Sequence, residues 1–264
     1  MRALKRFIRQ KVREHKNKPF VKKFKQDLEA EFGQGIELKQ GGSRGRDSIF
    51  KVSLNGEILG VGRLITQEQA HTQVPAEQPY QRIDMSKRID YEWECCEAGY
   101  QQNLTPKPLW KNDNAILVSH CPGESFQNYF LKNPEKCWDY VLRASQALHA
   151  WHQLGRSHMD SNISNIMGDP DCKDAFLIDF EYVAGADVNF AQQKAFDYLR
   201  LIESVQKFLP DNIKEQYGAW EKWMIETLDD ETRNADLERL MPGIKRTYHD
   251  KVLSKAVKNI FKNA

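Results

Sequence analysis

The 264-residue chain has no apolar run approaching the ~20 residues that a membrane-spanning helix requires. Its N-terminus is too densely charged to serve as a signal peptide. Cysteine is scarce: Cys95, Cys96, Cys121, Cys137 and Cys172 are odd in number and have neither metal-binding nor redox spacing, so reduced thiols in a cytoplasmic setting are expected. No nucleic-acid-binding motif occurs, which counts against a nucleic-acid partner. Length and mixed composition are those of a globular protein rather than a disordered one.

Charge is present, but unevenly placed. Residues 1–25 hold eleven Lys or Arg against Glu14, and residues 245–264 hold six against Asp250. The formal total is only +2, so the stretch between is acidic. Leu4, Phe7, Ile8 and Val12 have helical spacing, as do Phe20, Val21, Phe24 and Leu28 after an expected break at Pro19. Val252, Leu253, Val257, Ile260 and Phe261 repeat the pattern among lysines. Basic amphipathic helices bind anionic surfaces by apolar burial combined with charge attraction, so an anionic membrane surface is an expected partner. The alternative is that these helices pack on the body and leave a solvated basic face.

The most specific segment is Gly155-Arg156-Ser157-His158-Met159-Asp160-Ser161-Asn162-Ile163-Ser164-Asn165, with Ile178-Asp179-Phe180-Glu181 after it. Asp160 and Asn165 lie five residues apart, so one loop can present both to a cleft. Asp179 stands at the end of a short apolar strand over residues 175–178, with a partner strand at 166–167 across a turn-rich segment. A carboxylate to orient a hydroxyl, with an amide and a second carboxylate for a divalent ion, is the equipment of phosphoryl transfer. Residues 135–154 read as the preceding helix, ended near Gly155.

These residues resemble the catalytic loop and metal motif of the protein-kinase-like superfamily, in particular its small-molecule and glycan kinases. The resemblance covers roughly residues 35–210. It implies an α+β, two-lobed fold: an antiparallel N-lobe sheet with one helix, and a mainly helical C-lobe. The expected divisions are a basic helical arm over residues 1–34, an N-lobe over 35–118 and a C-lobe over 119–264. It also implies ATP and Mg²⁺ as cofactors, with Asp160 catalytic and Asn165 and Asp179 as metal ligands. His158 is carried over as a structural residue of the loop, and Asp197 as its buried buttress. His149 and His152 read as ordinary helix residues.

For the nucleotide, strands at residues 35–40, 48–54 and 57–65 are expected, the last two joined by an Asn55-Gly56 hairpin turn. Gly41, Gly42, Ser43 and Gly45 form the glycine-rich turn whose backbone N–H groups are assigned to phosphates. The superfamily's third-strand lysine is missing, and Arg63 is the only cation on that strand. Arginine grips phosphate through a planar fork and is not equivalent to a lysine point charge. Its expected ionic partner is Glu92, with Glu94 second, on a helix over residues 87–99. Two more strands are expected at residues 105–110 and 115–118, and His120 lies in a segment similar to the adenine-binding hinge.

The chain departs from the protein Ser/Thr kinases. Asn162 stands where their lysine follows the catalytic Asp, the metal motif ends in Glu181, and no Ala-Pro-Glu occurs downstream. Only a short loop leads from Asp179 to the next helix, expected over residues 191–209, which leaves little platform for a peptide. A sugar or glycolipid acceptor is therefore expected. With its basic termini the chain looks most like the lipopolysaccharide core kinases, which phosphorylate Kdo or heptose at the cytoplasmic face of the inner membrane. A small-molecule kinase of the aminoglycoside or choline kinase type, and a pseudokinase acting as a binding module, are the other readings.

Overall fold

A computed structural model describes residues 2–41, 47–65 and 74–263, with side chains from residue 17 onward. The protein is a mixed α+β structure, about half helical, with a five-stranded antiparallel sheet. Its contacts divide it into two units: Met1–His71 with Lys107–His120, and Thr72–Pro106 with Cys121–Ala264.

The first unit contains α1 (Arg2–Phe32), β1 (Ile36–Gln40), β2 (Asp47–Leu54), β3 (Glu57–Ile65), β5 (Pro108–Asn112) and β6 (Ala115–Val118). The sheet order is β1-β2-β3-β6-β5. Alternation in β2 buries Ser48, Phe50 and Val52 on one face. The Asn55-Gly56 turn into β3 has positive φ at both residues, as a type I′ turn requires. The same sheet face receives α1: Phe24 and Leu28 are fully buried, and Phe24 packs on Phe50 and Trp110. A Cβ on Gly62 would come within 2.8 Å of the Phe24 ring, so glycine there lets the helix close on the sheet.

Two expectations for residues 1–34 need correction. The helix does not break at Pro19 but runs through it. An interior proline costs ~3 kcal/mol. Burying Phe24 and Leu28 contributes roughly 1.5–3 kcal/mol each, enough to offset that. Second, the region is not wholly a separate arm, because its later turns belong to the core of the first unit. Its expected apolar stripe also splits: Phe20 is exposed while Phe24 is buried.

The second unit contains β4 (Tyr80–Arg82), α2 (Met85–Tyr100), β7 (Glu124–Ser125), α3 (Phe126–Lys132), α4 (Cys137–Gln153), β8 (Ile166–Gly168), β9 (Ala175–Leu177), β10 (Tyr182–Ala184) and α5 (Phe190–Val205). Five helices follow among the described residues: α6 (Asp211–Lys214), α7 (Gly218–Thr227), α8 (Asp230–Arg233), α9 (Met241–His249) and α10 (Leu253–Ile260). The apolar faces of α4 and α5 meet in the core, where Trp138, Val141, Leu148, Phe196 and Leu201 are buried. Gly155 ends the chain's exit from α4 at φ +72°, a conformation that glycine adopts without strain. The strands form a β7-β8-β9 sheet and a β4-β10 ladder. The helix expected over residues 87–99 is α2, and it belongs to this unit.

The C-terminal helix is a third correction. Leu253, Val257, Ile260 and Phe261 are all at most 2% exposed, packed in the second unit's core. Lys251, Lys255, Lys258 and Lys262 stay exposed. Its apolar stripe is thus already used, and α10 offers a membrane only charge. No helix among the described residues is long and apolar enough to cross a membrane.

Candidate active site

The loop between α4 and β8 is built around one buried carboxylate. Asp197, on α5, is inaccessible to solvent and accepts hydrogen bonds from the backbone N–H groups of His158 (2.7 Å) and Met159 (2.8 Å). Its Oδ2 also lies 3.0 Å from His152 Nε2, and His152 Nδ1 lies 3.2 Å from the Tyr198 hydroxyl. Ser161 donates to the Asp197 carbonyl. Met159 is held at φ +59°, unusual for a residue with a side chain, and the two bonds to Asp197 pin it there. His152 is therefore not an ordinary helix residue: it is a buried member of the network that shapes the loop.

Asp160 follows directly. Its Oδ1 accepts from Arg200 Nη2 at 3.1 Å and Nε at 3.3 Å, and its Oδ2 from Asn165 Nδ2 at 3.2 Å. The Asn165 amide also donates to the Asp160 carbonyl at 3.0 Å, so the two residues are clasped across their short loop. The Asp160 side chain remains 19% exposed. Arg200 was not legible as a partner, although it lies one helical turn beyond Asp197 and on the same face of α5.

Asp179 is tied to this loop through Ile178. Ile178 N–H donates to the Asn165 carbonyl at 3.0 Å, and His158 Nε2 lies 3.0 Å from the Ile178 carbonyl. The next residue, Phe180, is buried and packs on His158 and Trp151. Asp179 itself has φ +68° and a side chain 30% exposed. Arg88, on α2 and only 2% exposed, lies 3.6 Å from Asp179 and 3.1 Å from Glu181. Arg82 lies 3.3 Å from Glu181. Sequence reading passed over both arginines, although Arg88 shares a helix face with Glu92 at i+4 spacing.

Of the acids on α2, Glu92 is buried and Asp90, Glu94 and Glu97 are exposed. Arg63 belongs to the first unit, where its Nη1 donates to Asp47 Oδ2 at 2.8 Å. Gly41 donates its N–H to the Ile49 carbonyl, so that group closes the sheet. Gly42, Ser43 and Gly45 lie outside the described residues. His120 is exposed at the end of the first unit's second segment.

The cysteines are free. Burial pushes the Cys121 and Cys137 thiols up to about 12, which leaves them unreactive at neutral pH. Among the described residues, no three or more His, Cys, Asp or Glu cluster as a self-sufficient metal site. No protein-family model matches the chain, and no curated protein matches it.

Proposed function

We propose that the protein is an ATP- and Mg²⁺-dependent phosphotransferase of the protein-kinase-like kind, two-lobed in architecture, acting on a sugar or glycolipid hydroxyl. The observation that carries this reading is the clasped triad: Asp160 and Asn165 on one hydrogen-bonded loop, and Asp179 one residue beyond Ile178, which is bonded to that loop. Asp197 supports it by holding the turn from the buried side.

The donor set fits Mg²⁺. Asn165 directs its nitrogen at Asp160, and its Oδ1 takes only a long 3.4 Å contact from the Ser164 hydroxyl. An amide oxygen and a carboxylate are hard ligands, and Mg²⁺ commonly takes one or two protein groups and completes its shell with phosphate and water. Bound Mg²⁺ would supply positive charge against the leaving phosphates.

The protein's own groups do the rest. Asp160, partly exposed and clamped by Arg200, orients the acceptor hydroxyl and takes its proton late in the transfer. Asn165 keeps the second carboxylate oxygen in place. Arg63 is proposed to grip nucleotide phosphate, and Glu92 and His120 to serve nucleotide binding. A lipopolysaccharide core sugar at the cytoplasmic membrane face is the proposed acceptor, with the basic first turns of α1 as the membrane-facing element.

Calorimetry with ATP, with and without Mg²⁺, followed by a phosphate-transfer assay on lipid A-core sugars, small alcohols and generic protein, tests this. Mg²⁺-dependent ATP binding with transfer to a sugar is the expected result. A wild-type protein that binds no nucleotide would overturn it in favour of a non-catalytic binding module.

A further inference from the structure

The segment that follows Asp179-Phe180-Glu181 pairs with residues 80–82 as a two-stranded antiparallel ladder. Tyr182 stands opposite Arg82 and Ala184 opposite Tyr80. The ladder is closed at both ends, by Gly185 N–H to the Pro79 carbonyl and Ile83 N–H to the Glu181 carbonyl. Side chains two apart on a strand, and directly opposite across a pair, share a face. Tyr80, Arg82, Tyr182 and Ala184 therefore line one face. The two tyrosine rings meet edge to face, with centroids 5.0 Å apart and an interplanar angle of 79°. The Arg82 guanidinium donates to the Tyr182 hydroxyl at 2.6 Å.

The pair is linked to the proposed base through α5: the Tyr80 ring lies 5.8 Å from that of Phe196, four residues before Arg200, which holds Asp160. The Tyr80 phenol lies within electrostatic reach of Arg200, Asp160 and Arg82, and the Tyr182 phenol within reach of Glu181, Arg82 and Asp160. Burial pushes both phenols up, so both remain O–H donors at neutral pH. Both rings are only partly buried, packed at the margin of the second unit's core.

Charge around the pair is balanced. Asp160 is matched by Arg200, and Asp179 and Glu181 by Arg88 and Arg82. A cationic acceptor would have to compete with a guanidinium already in place, and an anionic one would meet Asp160. A charge brought out of water without a partner is costly. A neutral ring with several hydroxyls carries no such penalty. It can lay C–H groups on an aromatic face and exchange hydrogen bonds with phenols and guanidinium groups.

We infer that the face formed by Tyr80 and Tyr182 beside Asp160 is the acceptor subsite, and that it selects an uncharged, hydroxyl-rich ring over an amino sugar or a sugar acid. The inference rests on the phosphotransferase reading for the role of Asp160. Within that reading it favours a neutral sugar of the heptose kind over Kdo, which carries a carboxylate, and over an aminoglycoside.

The test is ligand-observed NMR titration of the full chain with glucose, glucosamine and glucuronic acid, one ring in three charge states. Glucose should bind at least about fivefold more tightly than either charged analogue, since each analogue must desolvate an unpaired charge. Y80L and Y182L should each weaken glucose by about tenfold through loss of ring contact and a hydroxyl. Y182F keeps the ring pair and should cost about threefold, the hydroxyl alone; it decides the matter if either leucine variant fails to fold. Equal or tighter binding of glucosamine or glucuronic acid, or an unchanged glucose affinity in folded variants, would overturn the inference. Calorimetry with Mg²⁺ and ATP on the same preparation separates the two ideas. Tyrosine-dependent glucose binding without nucleotide binding would uphold the subsite and sink the phosphotransferase. Nucleotide binding without the sugar preference would do the reverse.

Discussion

Arg200 donates to one oxygen of Asp160 through both Nη2 and Nε, at 3.1 and 3.3 Å, while Asn165 holds the other oxygen. A carboxylate gripped from both sides has little rotational freedom, and this is what a group that must meet a hydroxyl in one orientation needs. The grip also connects the loop to α5 twice, because Asp197 on the same helix binds the two preceding backbone amides.

D160N and D179N should each abolish phosphate transfer while leaving the fold intact. Neither side chain is buried in the core, and Arg88 keeps its closer 3.1 Å contact with Glu181 when Asp179 is neutralised. D179N should in addition lose Mg²⁺-dependent nucleotide binding. Turnover assays, calorimetry and circular dichroism on the same samples check the three statements; wild-type turnover in both variants would end the kinase reading.

Replacing Asp197 is expected to act on stability first. Its carboxylate satisfies two backbone amides and faces His152 inside the core, so D197A strands three buried polar groups. Breaking a buried network of this kind costs on the order of 3 kcal/mol. Urea denaturation should show that loss, and a midpoint within error of wild type would mean that the loop does not depend on Asp197.

Arg63 distinguishes nucleotide gripping from strand bracing. If its guanidinium contacts phosphate, R63A should weaken Mg²⁺-ATP binding by about 2 kcal/mol, the size of a lost charge-assisted contact. Should calorimetry instead give wild-type affinity with a lowered melting temperature, its role is the 2.8 Å pairing with Asp47.

Asp229 gives a pH signature. Burial works against its charge, but hydrogen bonds from Lys194 and from the Thr232 N–H at the start of α8 outweigh that and lower its pKa to about 2. A carboxyl depressed in the folded state contributes stability above its unfolded pKa, about 3.9, and loses it as pH falls toward the folded value. D229A should therefore lower the urea midpoint at pH 7, with a gap that closes as pH drops from 4 toward 2. The gap should be small, since the side chain is half exposed. A gap that widened on acidification would contradict the assignment.

The first turns of α1 are the remaining candidates for a membrane contact, since the apolar face of α10 is buried. Asn17 is buried and its amide lies 3.4 Å from the Ser48 hydroxyl, so a deletion that stops at residue 16 keeps this contact. That deletion should spare activity on a soluble sugar and reduce activity on a membrane-embedded one. The full chain should bind anionic vesicles, each basic residue contributing up to ~1 kcal/mol, and salt should weaken the binding. Equal binding to neutral vesicles would remove the basic residues as the cause.

Local order in the chain was enough to locate the loop over residues 155–165, the strand β9 (Ala175–Leu177) to within a residue, the Asn55-Gly56 turn and the helices around them. Each of these depends on spacing among neighbours: alternation for strands, helical periodicity for α4 and α5, and positive φ for the turn. The partners of the site residues were another matter. Arg88 with Asp179, Arg200 with Asp160, and His152 with Asp197 join positions forty or more residues apart, and no local pattern encodes such a pairing. The fate of the amphipathic segments was equally beyond reach. An apolar stripe on a helix states only that something must cover it. Tertiary packing assigned the stripe of α10 to the protein's own core and drew α1 through Pro19 onto the sheet, because burying Phe24 and Leu28 is worth more than the hydrogen bond that the proline forfeits.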